Sequence, residues 1–301
     1  EGIINLTLKV IKSFTNSSIC IFQLSHIVNE ISKRIDFDAV CGTVIPFITQ
    51  LFSDEDKPKQ IIDAINFIKN LEELSLDFLQ KPEISEFWQS IPDLIADPSN
   101  NKEIASAVIK MMATVCQKVK REEVLPLIFP LLESSKKRLV AELPFPSELR
   151  DNLAAYLAIL GGSVIGDDFP FSEILPLILS AIPLQCDFTL CTELYQFISG
   201  IFKRVIINDE QLKNLYVHGL VELFSQPYKK IEIMNIDPYV LNSLQTSLYM
   251  AFKNNEDDED DDEQFMTSIL QILEGDQDKY STFAQTYARI QSFCISNIQW
   301  A

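Results

Sequence analysis

The chain has 301 residues, and apolar residues make up 47% of them, enough for a continuous hydrophobic core. Its 43 Asp and Glu residues outnumber 25 Lys and Arg, giving a net charge of −18. This charge disfavours nucleic acids and anionic membranes as partners and favours basic proteins. No apolar run reaches the roughly 18 residues of a transmembrane helix.

A short motif of an aliphatic residue followed by proline recurs along the chain. It reads TVIPFITQLF at 43–52, SIPDLIAD at 90–97, EVLPLIFPLL at 123–132 and EILPLILSAIPLQCD at 173–187. The prolines Pro46, Pro92, Pro126 and Pro176 are 46, 34 and 50 residues apart. This spacing is typical of repeated helical pairs of the HEAT or armadillo type.

Helical periodicity and capping residues divide the chain into roughly fourteen helices. They are predicted at 2–15, 18–35, 36–52, 57–79 (one long or two short), 83–96, 102–119, 123–134, 148–160, 172–182, 188–207, 210–224, 238–253, 264–273 and 279–297. Asn208 or Asp209 can cap one helix, and Asp237 followed by Pro238 opens another. Gly161 and Gly162 are expected to end a helix as its C-cap.

The eight glycines are too few for the glycine-bearing turns of a parallel sheet, so the predicted fold class is all-α. We predict a right-handed α-solenoid, or superhelix, of about seven HEAT-like pairs. Its single array is expected to span 1–301, with an acidic interhelical loop at 255–263. Stacked pairs leave an extended concave face, built from the second helix of each pair, on which a partner can bind.

The sequence gives little support for catalysis. His26 and His218 lie inside apolar helical runs, as core or boundary histidines do, and no phosphate-binding glycine loop or nucleophile elbow is present. Cys186 and Cys191 form C-x4-C, which is not a zinc spacing. We therefore expect no enzyme activity, no metal and no cofactor. A triad assembled in space stays an open alternative.

The six cysteines are expected to be free buried thiols, as in the cytoplasm and nucleus. Lys136, Lys137 and Arg138 form a basic cluster for which we favour neighbouring acids as partners over a localisation signal. Trp88 is expected to pack in the core.

An acidic run is the sharpest local feature of the chain. It consists of Glu256, Asp257, Asp258, Glu259, Asp260, Asp261, Asp262 and Glu263. Eight adjacent carboxylates repel one another and cannot be packed together. Two interpretations stay open: a solvated loop that aids solubility, or a polyanion that binds lysine-rich segments of a partner.

The stretch 150–203 resembles the late repeats of the importin-β (karyopherin) family of nuclear transport receptors. A helix beginning near Asp151 and Asn152 is followed by a loop with Pro170 and an E-x-L-P-x-x-L helix from Glu173. A P-L-x-x-D turn at 183–187 then opens the next helix. The start of a later helix at 237–238 is similar to helix starts in the family branch that imports ribosomal proteins and histones.

The resemblance implies a carboxy-terminal, cargo-binding portion of a longer receptor. It implies basic protein cargo as the partner, and Ran-GTP and nucleoporin repeats as partners of the full-length chain. We therefore predict non-catalytic binding of basic cargo on an acidic concave helical surface. The alternative is a HEAT-repeat scaffold subunit of a stable complex, such as a phosphatase or chromosome-associated assembly.

Overall fold

The computed structural model describes residues 18–33, 42, 45–46, 58–71, 82–97, 101–252 and 261–298. Within these residues every regular element is a helix and none is a strand. The predicted all-α class is therefore confirmed. The number of pairs, about seven, stays a prediction.

Thirteen α-helices lie in the described part of the chain. They are α1 (Ser18–Ser32), α2 (Pro58–Lys69), α3 (Pro82–Ala96), α4 (Lys102–Lys118), α5 (Arg121–Glu142), α6 (Glu148–Ile159), α7 (Phe171–Ala181), α8 (Cys191–Ile201), α9 (Glu210–Phe224), α10 (Tyr228–Met234), α11 (Pro238–Phe252), α12 (Asp261–Ile272) and α13 (Gln277–Ile298). A π-helical turn (Leu160–Ile165) and two 3₁₀ turns (Gly166–Asp168 and Ile206–Asn208) complete the set.

The chain divides into two compact units. The first comprises Glu1–Ala141 with Ser163–Gly166, and the second comprises Glu142–Gly162 with Asp167–Ala301. In the first unit, α1 packs on α2, α2 on α4, and α3 on α4. The expectation of one array over the whole chain stays a prediction.

In the second unit the helices form two layers. The layer of first helices runs α6, α8, α11, α13, and the layer of second helices runs α7, α9, α12, with neighbours in contact along each layer. Consecutive helices that pack on their neighbours in sequence order are typical of an α-solenoid. Helix α6 lies so deep that every residue from Leu149 to Ile159 is buried.

Long-range hydrogen bonds repeatedly join residues that are 41 to 44 positions apart. They link Asn29 to Asn70, Arg138 to Asp97, Thr192 to Asn235, Ser199 to Ser243 and Gln245 to Tyr287. These separations fall within the repeat of ~40–47 residues expected for HEAT and armadillo arrays. The period predicted from the prolines thus has a counterpart in side-chain contacts of both units.

The predicted N-caps of two helices are confirmed. The Asp209 carboxylate accepts hydrogen bonds from the amides of Gln211 and Leu212 at 2.9 and 3.1 Å, and so caps α9. Asp237 accepts from the Tyr239 amide at 2.8 Å and caps α11, which begins at Pro238.

The predicted C-cap at Gly161 and Gly162 is wrong. The helix continues through both glycines into the π-helical turn, and neither has a positive φ. A Cβ atom on Gly161 would lie 2.9 Å from the buried Phe197 ring. The position therefore needs glycine for the close approach of an aromatic side chain, not for a left-handed cap.

Candidate partner-binding cleft

A cleft of about 620 Å³ opens between α9, the end of α11 and α12 in the second unit. A second hollow of about 540 Å³ continues it towards the start of α13, and the two share His218, Ile272 and Glu274. We refer to both together as the α9–α12 cleft. Its other lining residues are Glu210, Lys213, Asn214, Val217, Glu222, Ala251, Phe252, Gln264, Ser268, Gln271, Leu273, Gly275, Asp276 and Lys279.

The sequence of α9 presents one polar stripe to the cleft. Its cleft residues recur at helical spacing: Glu210, Lys213, Asn214, Val217, His218 and Glu222. The residues between them are buried on the other faces: Leu212, Tyr216, Leu220, Leu223 and Phe224. An amphipathic helix therefore fixes which side chains reach the cleft.

The rim of the cleft carries an excess of carboxylates. Glu210, Glu222, Glu274 and Asp276 supply four, against two lysines. Lys213 Nζ lies 3.0 Å from a Glu210 carboxylate oxygen. The corresponding contact to Glu222 is made by Lys279 of α13, at 3.6 Å.

Glu274 occupies a backbone position that usually belongs to glycine. Its φ is 54°, and the amide of Gly275 donates to the Leu270 carbonyl at 3.0 Å, which terminates α12 in a Schellman motif. A left-handed residue other than glycine costs about 1 kcal/mol. The chain nevertheless places a carboxylate here, at the point where the two hollows meet.

Apolar atoms lie among these charges. Val217 is buried, and Phe252 and Ile272 are half-buried along the same cleft. Carboxylates beside apolar surface suit a lysine or arginine side chain, whose alkyl stem packs while its charged head reaches an acid.

The two histidines are exposed, so the expectation of core or boundary positions is wrong for both. His26 lies edge-on to Phe22, with ring centroids 4.6 Å apart. His218 shares the cleft with Ser268, and the Ser268 hydroxyl donates to the Gln264 carbonyl at 2.9 Å. Among the described residues no cluster of three or more His, Cys, Asp or Glu side chains could hold a metal ion.

The P-L-x-x-D turn is held by a buried carboxylate. Asp151 of α6 accepts hydrogen bonds from the backbone amides of Gln185, Cys186 and Asp187 at 2.8, 2.6 and 3.1 Å. Its other oxygen accepts from the Arg150 guanidinium at 2.8 and 3.1 Å, and Asp151 has no exposed surface. This cluster is structural because it joins α6 to the turn that leads into α8.

The acidic run is only partly described. Glu256, Asp257, Asp258, Glu259 and Asp260 lie outside the described residues, so their role stays a prediction. Asp261, Asp262 and Glu263 form the first turn of α12. The last three residues of the predicted loop at 255–263 are therefore helical and directly precede the cleft residue Gln264.

The basic cluster and the cysteines have the environments expected of them only in part. Lys136 lies 3.1 Å from a Glu133 carboxylate oxygen, and the fully buried Arg138 donates to the Asp97 carbonyl. Cys116 and Cys191 are buried and form no disulfide, but Cys186 is exposed at the turn, so its expected burial is wrong. Trp88 is half-buried.

A further cavity of about 430 Å³ lies between α11, α12 and α13. Its walls are Asn242, Gln245, Thr246, Tyr249, Phe265, Met266 and Tyr287. The Gln245 amide donates to the Tyr287 carbonyl at 2.8 Å, and the Phe265 and Tyr287 rings lie 5.7 Å apart. This cavity is more aromatic than the α9–α12 cleft and carries no ionised side chain.

The chain matches no known protein family, and no curated protein matches it. A search of the described helices for one long and apolar enough to span a bilayer found none.

Proposed function

We propose that this chain is the cargo-binding portion of an importin-β-type nuclear transport receptor and that the α9–α12 cleft takes part in binding basic cargo. The observation that carries the proposal is the charge of the cleft: four carboxylates face two lysines, and both lysines are already paired. A cationic segment thus meets a net negative surface. In this proposal the chain works in the cytoplasm and nucleus without catalysis.

Binding follows from many weak contacts. The stem of a cargo lysine packs on Val217 or Ile272 while its ammonium group reaches Glu274 or Asp276. An exposed ion pair contributes about 0.2–1 kcal/mol, so affinity comes from the number of contacts made together. Ran-GTP and nucleoporin repeats act on the full-length chain, and Ran-GTP releases the cargo.

The test is fluorescence anisotropy with a labelled oligolysine peptide. Glu210→Gln, Glu222→Gln and Glu274→Gln should each weaken binding about two- to fivefold, and the triple variant should weaken it further. Glu232→Gln, an exposed carboxylate on α10 outside the cleft, is the matched control and should change little. Raising the salt concentration should weaken wild-type binding steeply.

If the cleft variants and the Glu232 control lose affinity for oligolysine equally, the interaction depends on net charge alone. The cleft would then have no part in the proposed function. An oligolysine peptide that does not bind at low salt would remove basic cargo as the partner.

The alternative is a scaffold subunit that binds one permanent partner through apolar surface. The aromatic cavity at Phe265 and Tyr287, and the exposed Ile233 and Tyr239, favour it. A pulldown from extract with the full-length chain, with and without Ran-GTP, separates the two. Loss of bound proteins on adding Ran-GTP supports the receptor, whereas retention supports the scaffold.

A further inference from the structure

The two lysines of the α9–α12 cleft occupy the positions that a cationic partner needs. Lys213 pairs with Glu210 one turn earlier on α9, whereas Lys279 reaches from α13 to Glu222 on α9. The ion pair between Lys279 and Glu222 therefore joins α13 to α9 across the cleft.

Both ion pairs are open to solvent. The exposed fraction is 26% for the Lys213 side chain and 73% for Glu210, and 52% and 54% for Lys279 and Glu222. Water and salt screen such pairs, so each holds its carboxylate weakly. A partner ammonium or guanidinium group can replace the resident lysine without leaving a buried charge unpaired.

We propose that Lys213 and Lys279 are resident counter-charges that hold the α9–α12 cleft in a self-neutralised state and lower its affinity for basic partners. This inference rests on the proposed function and concerns its regulation. With both lysines in place, four carboxylates face two ammonium groups. Without the lysines, Glu210 and Glu222 lose their counter-charges and can join Glu274 in binding the partner. Asp276 contributes less, because its carboxylate also accepts the amides of Asp278 and Lys279 as the cap of α13. Neutralising either lysine should therefore strengthen binding.

The experiment measures the affinity of the 301-residue chain for labelled oligolysine at low salt. Lys213→Gln and Lys279→Gln should each tighten binding about two- to fivefold, and the double variant should exceed either single change. Lys213→Met and Lys279→Met keep the aliphatic stem and remove only the charge, so they should reproduce the effect. Lys→Arg changes at both positions keep the charge and should bind as the wild type does.

Lys203→Gln is the control for net charge, because Lys203 is exposed and does not line the cleft. It should tighten binding much less than the cleft variants. Equal tightening by Lys203→Gln, or unchanged or weaker binding by the Gln and Met variants, would overturn the inference. If the Glu→Gln variants still weaken binding in that case, the proposed function stands and the self-neutralised state alone fails. If the wild-type chain does not bind oligolysine, both the proposed function and the self-neutralised state are wrong.

Discussion

Replacing Asp151 by alanine should lower the free energy of unfolding of the second unit by about 4 kcal/mol. The carboxylate is fully buried and accepts three backbone amides of the turn before α8, while its second oxygen accepts the Arg150 guanidinium. Alanine removes every one of these acceptors and leaves the donors in place.

The magnitude follows from what is left without a partner. An unsatisfied buried donor costs about 1–3 kcal/mol, and breaking a buried ion pair costs about 3–5 kcal/mol. The side chains of Gln185 and Cys186 are exposed, so water can reach part of the turn and the full sum overestimates the loss. The expected value of about 4 kcal/mol is therefore that of the broken ion pair alone, with water taking over the amides of the turn. Asp151→Asn keeps the size and should cost about 2 kcal/mol.

The assay is urea unfolding followed by far-UV circular dichroism, combined with hydrogen exchange of the amides at 185–187. Asp167→Ala is the control, because that carboxylate pairs with Arg204 at 3.2 Å but is 92% exposed, and it should cost less than about 1 kcal/mol. A loss below about 1 kcal/mol for Asp151→Ala, with amide protection at 185–187 unchanged, would refute the reasoning that this carboxylate holds the turn.

Three further predictions concern backbone positions and a thiol. Gly219→Ala should cost about 1–3 kcal/mol in thermal unfolding, because its Cβ would lie 2.4 Å from Ile182 Cγ1. Gly200→Ala in α8 is the control, since its Cβ meets nothing within 4 Å and the change should be neutral or stabilising. Equal effects of the two changes would contradict the packing around Gly219. Glu274→Gly should raise stability by about 1 kcal/mol yet weaken oligolysine binding, and a destabilised variant would contradict the left-handed assignment. Partial burial and then the Asp151 charge raise the pKa of the exposed Cys186. Its alkylation rate, measured by peptide mass spectrometry, should therefore be low at neutral pH and should still increase above the ordinary thiol pKa of about 8.5. An alkylation rate that reaches a plateau below that pH would contradict the raised pKa.

Most helix positions and two caps could be predicted because their signals are local. Two helices differ: α5 continues to Glu142, beyond the predicted end at 134, and α10 (Tyr228–Met234) was not predicted. Asp209 and Asp237 accept amide hydrogen bonds within three residues of themselves, so the sequence contains the whole cap. Gly161 could not be interpreted in this way, since its reason is the Phe197 ring, which lies in another helix. Apolar neighbours in sequence predict a core or boundary position for His218, but these neighbours cover the other faces of α9 and leave His218 exposed.

The candidate cleft was only partly accessible to sequence reasoning. Its walls come from α9, the end of α11, α12 and the turn into α13, which are separated along the chain and meet through layer packing. The acidic composition indicates a basic partner, but the longest cluster of carboxylates in the sequence is the run at 256–263, not the cleft. The stripe of α9 at Glu210, Asn214, His218 and Glu222 was visible as an i, i+4 pattern and could have been found.

Carbodiimide cross-linking of bound oligolysine, mapped by peptide mass spectrometry, tests the central claim most directly, because it joins peptide lysines to the carboxylates they contact. The account predicts cross-links at Glu210, Glu222 and Glu274, and stronger ones at Glu222 when Lys279 is replaced by Gln. Cross-links confined to carboxylates elsewhere, such as Glu148 or Glu193, would contradict it.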